Sequence, residues 1–210
     1  MFRYIGVAAL VVMALLLEAC APKSQSDCGF VQNVYGERVS WKADVPVTMY
    51  LHDSVPNEFI PAIVSAAQTW ERKSGRRLFN IVTTPRVSGP NQPRTDGKNV
   101  IYFMNTWETE KASEQARTTI LWTGDQIRET DIRVNAKVDP ETSKPFFSFY
   151  WNQGTGSGVN IEALILHEMG HVLGLKHNDA GGSVMATYLK NNDDRTELSE
   201  QDTTDLKCEY

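Results

Sequence analysis

The stretch HEMGHVLGLKH, residues 167 to 177, places three of the chain's four histidines within eleven positions. No other feature of the sequence restricts the local fold as tightly. From Val159 or Asn160 to Leu173, the apolar residues Ile161, Leu164, Ile165, Leu166, Met169, Val172 and Leu173 recur at the spacing of a helix. On a helix, residues four apart share a face, so His167 and His171 project side by side, near enough for their ring nitrogens to bind one cation. Gly174 then ends the helix and turns the chain, which lets His177 approach as a third ligand.

Three neutral imidazoles suit Zn²⁺ and leave a fourth position open for water, the arrangement of a catalytic zinc; structural sites more often use cysteine. Glu168 is one residue from a ligand and lies on the adjoining face, where its carboxylate can reach metal-bound water without being a ligand itself. Its expected role is general base. Zinc lowers the pKa of its water from about 15.7 toward about 7, so a carboxylate can complete the deprotonation at neutral pH. Attack on a polarised carbonyl, with Glu168 returning the proton to the departing amine, is peptide-bond hydrolysis. A lone histidine is ordinarily a core or surface residue, and HExxH by itself recurs by chance. With Gly174 and His177 added, a chance match in a chain this size is on the order of one in 10⁵.

Before this helix the chain reads as alternating strands and one further helix. Val45, Val47, Met49 and Leu51 alternate over 45 to 51, the period of a strand. Ile60, Ile63, Val64, Ala67 and Trp70 then recur at helical spacing up to Ser74-Gly75, a stop. Strands are expected at 77 to 82, 99 to 105, 118 to 123 and 130 to 134. The prolines and glycines of TPRVSGPNQPRTDG argue against regular structure between the second and third. Residues 139 to 160 are expected to be irregular, and their aromatic run (Phe146, Phe147, Phe149, Tyr150, Trp151) to pack as a buried loop rather than flank a cleft. Trp41, Trp70, Trp107 and Trp122 are assigned to packing. Ser199, with Asp202 three residues on, signals the capped start of a last helix. The order β-α-β-β-β-β-α, closed by a helix, predicts a mixed sheet lobe and a small C-terminal lobe.

The motif HExxHxxGxxH followed by SVMA, residues 183 to 186, resembles the metzincin metalloproteases. Within them LHEMGHVLGLKH, the short spacing to SVM and the later LSEQD are most similar to the matrixins, in a short bacterial form. The resemblance is specific over residues 160 to 206 and loose from 45 to 135. It implies an α+β fold: a five-stranded mixed twisted sheet, two long helices of which one bears the zinc ligands, and a C-terminal lobe with a methionine turn and a final helix. By the same resemblance Met185 packs beneath the metal, and the strand at 118 to 123 is the sheet edge to which an extended substrate adds. Animal matrixins carry a second, structural zinc; here only His52 remains, in another region, and one catalytic Zn²⁺ is expected. Asn178 stands where serine is common, and no proline lies between Met185 and Tyr188, so the pocket wall departs from the family. Packing is the first reading of Tyr188, with pocket lining or an oxyanion contact as the alternatives. NNDD at 191 to 194 offers oxygens for calcium, but a solvated turn is the expectation.

Arg3 followed by uncharged residues from Ile5 to Leu17 is too short to span a bilayer as a helix and matches an export signal. Its end, LEAC, resembles the lipobox of bacterial lipoproteins, with Cys20 as the lipidated residue; Glu18 departs from that pattern. The expected organisation is a signal peptide over 1 to 19, a tether and N-terminal segment over 20 to 44, and a catalytic domain over 45 to 210. Cys28 and Cys208 remain as a pair for a disulfide in an oxidising envelope. The alternative is Cys28 as an inhibitory zinc ligand. A net charge of -5 with interspersed signs excludes a nucleic-acid surface.

The sequence therefore predicts an exported, lipid-anchored, monomeric zinc endopeptidase of the cell envelope, at the outer membrane facing periplasm or surface, or otherwise secreted. Its partners would be protein or peptide substrates. The alternatives are an envelope lipoprotein that binds zinc and peptide but barely cuts, and a lipoprotein whose metal only stabilises the fold.

Overall fold

Five strands form one mixed sheet in a computed structural model that describes residues 24–152 and 158–210. The expected signal segment and Cys20 lie outside the described residues. Strand β1 (Val47–His52) pairs in parallel with β2 (Phe79–Val87) on one side and β3 (Asn99–Met104) on the other. Strand β3 pairs in parallel with β5 (Gln126–Asn135), and β4 (Ala116–Thr123) runs antiparallel to β5, giving the order β2-β1-β3-β5-β4. Helix α1 (Ile60–Ser74) supplies the crossover that the parallel β1–β2 pair requires. It ends at Gly75, whose left-handed φ of 75° lets its N–H return to the Glu71 carbonyl.

Helix α2 (Ile161–Val172) packs on α1, and Trp70 Nε1 donates to the Leu166 carbonyl at 2.9 Å. Beneath the helices lie Met49, Leu51, Ile101, Phe103, Ile132 and Val134. The alternate residues Val100, Tyr102 and Met104 of β3 pack with Trp107 in a second cluster, so this middle strand is buried on both faces. A short helix α3 (Glu200–Leu206) closes the chain, with the Ser199–Asp202 capping box that its sequence predicts.

Several expectations need correction. Strand β2 runs through Pro85 to Val87, although the prolines and glycines of TPRVSGPNQPRTDG argue for a loop from Thr84 onward. It is an edge strand, where a residue without an N–H is tolerated, and its pairing with β1 is irregular beyond Val82. Strand β5 starts four residues earlier than expected, because a two-residue turn at Gly124-Asp125 joins it to β4 as a hairpin. The polar Gln126, Arg128 and Glu129 concealed that extension. Within the supposedly irregular 139–160 region, β6 (Phe149–Tyr150) and β7 (Val159–Asn160) form a short parallel ladder. Phe147, Phe149 and Trp151 pack against the core as expected, whereas Phe146 is exposed. Trp41, Trp70 and Trp107 are buried, but Trp122, on the uncovered edge strand, is 47 % exposed.

The N-terminal segment is drawn onto the domain by Phe30, Val39 and Trp41, all in the core. Cys28 and Cys208 are joined by a disulfide, with Cα atoms 6.2 Å apart. Beside it Glu209 takes ion pairs from Arg38 at 2.8 Å and Lys42 at 3.1 Å and a hydrogen bond from Ser40 at 2.7 Å. Among the described residues no helix is long and apolar enough to cross a membrane.

Candidate metal centre and cleft

Helix α2 begins where the Asn160 side chain accepts hydrogen bonds from the N–H groups of Glu162 and Ala163. Its apolar residues press into the core and leave His167 and His171 on one face. The helix stops at Gly174, whose φ of +100° and contact with the Val39 carbonyl leave no room for a side chain. Two buried carbonyls that the helix end leaves without helical partners are met from afar: Trp41 Nε1 donates to Val172 at 2.8 Å, and Tyr210 Oη donates to Leu173 at 2.7 Å. The turn brings His177 back, so that His171 Nε2 lies 3.1 Å from His167 Nε2 and 3.2 Å from His177 Nε2.

The outer hydrogen bonds decide which nitrogen faces inward. Nδ1–H of His167 donates to the Val184 carbonyl and Nδ1–H of His171 to the Leu175 carbonyl, each at 2.7 Å. In the neutral rings the Nε2 atoms then carry lone pairs, and two lone pairs at 3.1 Å repel unless a cation lies between them. Burial, followed by the neighbouring His171, holds His167 down to about 3 and so keeps it neutral. Burial and His171 lower His177 as well. Three nitrogens bound tetrahedrally at about 2.0–2.1 Å would be about 3.3 Å apart. The donor set therefore fits zinc, and among the described residues it is the grouping whose ligand atoms all lie within 4.8 Å of one another.

Glu168 projects into the same cleft and is buried. Burial pushes its carboxyl up, opposed by His171 and by a hydrogen bond from Thr118. Thr118 Oγ1 on β4 donates to Glu168 Oε2 at 2.6 Å. Sequence reading placed Thr118 in the edge strand but gave no sign of this contact, because the two residues are 50 positions apart.

Met185 is buried. A Cβ on Gly170 would collide with Met185 Sδ and press on Trp70, so this glycine between two candidate ligands is a packing requirement. Asp202, read from sequence only as a cap, also braces the turn. Its Oδ2 accepts from Val184 N at 3.0 Å and its Oδ1 from Ser183 Oγ at 2.5 Å. The same Val184 orients His167.

A cleft of about 470 Å³ opens over the histidines between β4 on one side and residues 186–189 on the other, with Leu164 also in its lining. Tyr188 does not pack, contrary to the first reading: it is 80 % exposed and lines the cleft, and its carbonyl accepts from Arg195 at 2.6 Å. Gln115 Nε2 donates to the Leu189 carbonyl at 3.1 Å across the cleft. The carboxylates considered for calcium have protein partners. Asp193 takes Arg195, and Asp194 accepts from Tyr150 and Asn160. His52 lies against Tyr102 with the two rings tilted, and its Nδ1 accepts from the Ser54 N–H.

The family model described as Matrixin matches residues 87–210, more than half of the chain and all of this centre. Matrilysin of Rattus norvegicus is 37% identical over 62 residues, covering 29% of this chain and 23% of that protein. Matrilysin of Felis catus is 38% identical over 61 residues, with 29% and 23% covered. The chain thus spans about a quarter of the length of these relatives. With the family model extending over the histidine helix, the methionine turn and the closing helix, the chain belongs to the matrixin family.

Proposed function

We propose that the chain is a zinc-dependent endopeptidase, of a bacterial matrixin branch, that hydrolyses extended polypeptides at the cell envelope, where lipid on Cys20 holds it. The observation that carries this reading is the convergence of His167, His171 and His177 Nε2 with the buried Glu168 carboxylate in one cleft. Family membership supports zinc as the metal and protein or peptide as the substrate. The envelope location and the lipid rest on the N-terminal sequence.

Zinc held by the three imidazoles would supply Lewis-acid chemistry, polarising a substrate carbonyl and lowering the pKa of water. The chain's own groups do the rest. The Val184 and Leu175 carbonyls hold the rings of His167 and His171 with Nε2 turned inward. Glu168 accepts a proton from the attacking water and passes it to the nitrogen of the departing amine. Burial raises its basicity above that of a surface carboxylate. A substrate adds as an extra strand along the open edge of β4 through main-chain hydrogen bonds, and one of its side chains enters the space toward Tyr188 and Leu189.

Metal analysis and casein cleavage by the purified chain, alongside Glu168→Gln, test the reading. The expected result is one zinc per chain and proteolysis that a chelator abolishes. Glu168→Gln keeps its zinc and loses activity by about 10²–10⁴-fold. Zinc and tight peptide binding without cleavage would favour a binding module instead, and a chain that takes up no zinc would overturn the mechanism.

A further inference from the structure

The general base has an anchor from outside its own helix. Thr118 is fixed in β4 by its pairing with Ile132 of β5, and with Ala116 and Ile120 it lines the cleft. Its hydroxyl lies 2.6 Å from Glu168 Oε2 and 3.2 Å from the Glu168 main-chain oxygen. One O–H proton serves its nearer and stronger acceptor, and 2.6 Å falls in the range of an O–H donating to an ionised carboxylate. Among the described residues no group donates to Oε1.

We propose that Thr118 is the positioning residue of the Glu168 base: its hydroxyl holds Oε2 so that Oε1 alone is presented to water over the histidines. This inference rests on the endopeptidase reading of the same site. The terminal torsion of a glutamate is broad and close to two-fold, so helix α2 alone does not determine where the two carboxylate oxygens point. A threonine hydroxyl is a suitable clamp, because branching at Cβ leaves few side-chain rotamers. The strand that supplies it is also the strand whose free edge faces the cleft. The substrate main chain and the base are therefore located by one rigid element, so the scissile carbonyl and Oε1 keep a constant relation as different sequences are threaded through.

A purely structural Thr118 would show itself differently from a positioning one, and three variants of the full zinc-loaded chain separate the two. Thr118→Val keeps the branched shape and removes the donor. It is expected to lower kcat about tenfold or more on a fluorogenic peptide carrying a casein cleavage site, with KM, zinc content and Tm little changed. Thr118→Ser keeps the donor and is expected to recover most of kcat despite losing the methyl group, whereas Thr118→Ala, which has neither, should resemble the valine variant. A valine variant with wild-type kcat, or a serine variant as slow as it, would overturn the proposal. A crystal structure of Thr118→Val supplies a readout independent of turnover. The Glu168 carboxylate should be rotated from its wild-type orientation, and an unmoved carboxylate would overturn the proposal whether or not the chain is a protease. A wild type that cuts nothing, with the carboxylate rotated in the variant, would sink the endopeptidase reading and leave the anchor standing.

Discussion

Met185 Sδ occupies the space that a Cβ on residue 170 would need. The methionine turn therefore rests directly on the backbone of the histidine helix, one residue before His171, with Trp70 of α1 completing the contact. A glycine at 170 lets the turn come that close, and the closeness brings the Val184 carbonyl within reach of His167. The centre is positioned by packing as much as by hydrogen bonding.

Gly170→Ala is expected to lower stability by about 1–3 kcal/mol through overpacking, and Met185→Ala by about 2–5 kcal/mol through the cavity it leaves. Combined, the two should cost less than their sum by roughly 1 kcal/mol, since the truncated methionine makes room for the new methyl. Urea denaturation of the three variants gives the coupling; strict additivity would mean that the two residues do not share this space.

Asp202 joins α3 to the candidate metal centre through Ser183 and Val184. Asp202→Ala leaves the buried donors of Ser183 and Val184 and the half-buried donors of Ser199 without their acceptor, at a cost of about 3 kcal/mol or more. Zinc affinity should fall as well, by about tenfold, because the Val184 carbonyl that orients His167 loses its brace. Competition against a chromogenic chelator measures this, and an unchanged affinity with lowered stability would confine Asp202 to capping.

The disulfide closes a loop across 180 positions, so its removal frees almost the entire unfolded chain. On the chain-entropy model, Cys28→Ser with Cys208→Ser costs about 5 kcal/mol. Denaturation with and without reductant, beside the double variant, should give matching losses. A loss below about 1 kcal/mol would show that Phe30, Trp41 and the Glu209 ion pairs hold the two termini together without the covalent bond.

Glu209 should set part of the acid limb of stability. Burial pushes its carboxyl up, but the hydrogen bonds from Arg38, Ser40 and Lys42 outweigh it and leave the folded group below the ordinary value of 4.5. A depressed folded pKa stabilises the native state above the unfolded value, and that contribution disappears as pH falls through the folded one. Tm of the wild type should therefore decline below about pH 4.5. Glu209→Gln should begin lower at pH 7 and decline less steeply. Parallel Tm profiles for the two proteins would assign the acid limb to other carboxylates.

The parts of this centre that could be read from sequence are those whose geometry is set within one or two helical turns. The i, i+4 placement of His167 and His171, the adjacent Glu168, the stop at Gly174 and the Ser199–Asp202 cap all follow from the pitch of a helix and the needs of its ends. The strands most legible in the sequence carry apolar residues, alternating in β1 and continuous in the doubly buried β3. Those that were missed or cut short are edges and hairpin ends, β2 beyond Val82 and β5 before Thr130, where an exposed face lets polar residues and proline stand in a ladder. Trp122 and Tyr188 are exposed for a related reason: a large ring implies burial on average, and only the surrounding chain decides whether anything covers it.

Local spacing is enough to pick out the histidine trio proposed as ligands, the carboxylate proposed as base, the α+β order of elements and the pair of cysteines available for a bridge. The groups that hold them come from elsewhere in the fold: Thr118 on Glu168, Val184 on His167, Asp202 behind Val184, and Gly170 under Met185. The physical reason is range. A helix repeats every 3.6 residues whatever surrounds it, so local spacing is enough to place neighbours. A contact between β4 and α2, or between α3 and the methionine turn, depends on how sheet order and chain reversals bring distant segments together, and no spacing along the chain encodes that.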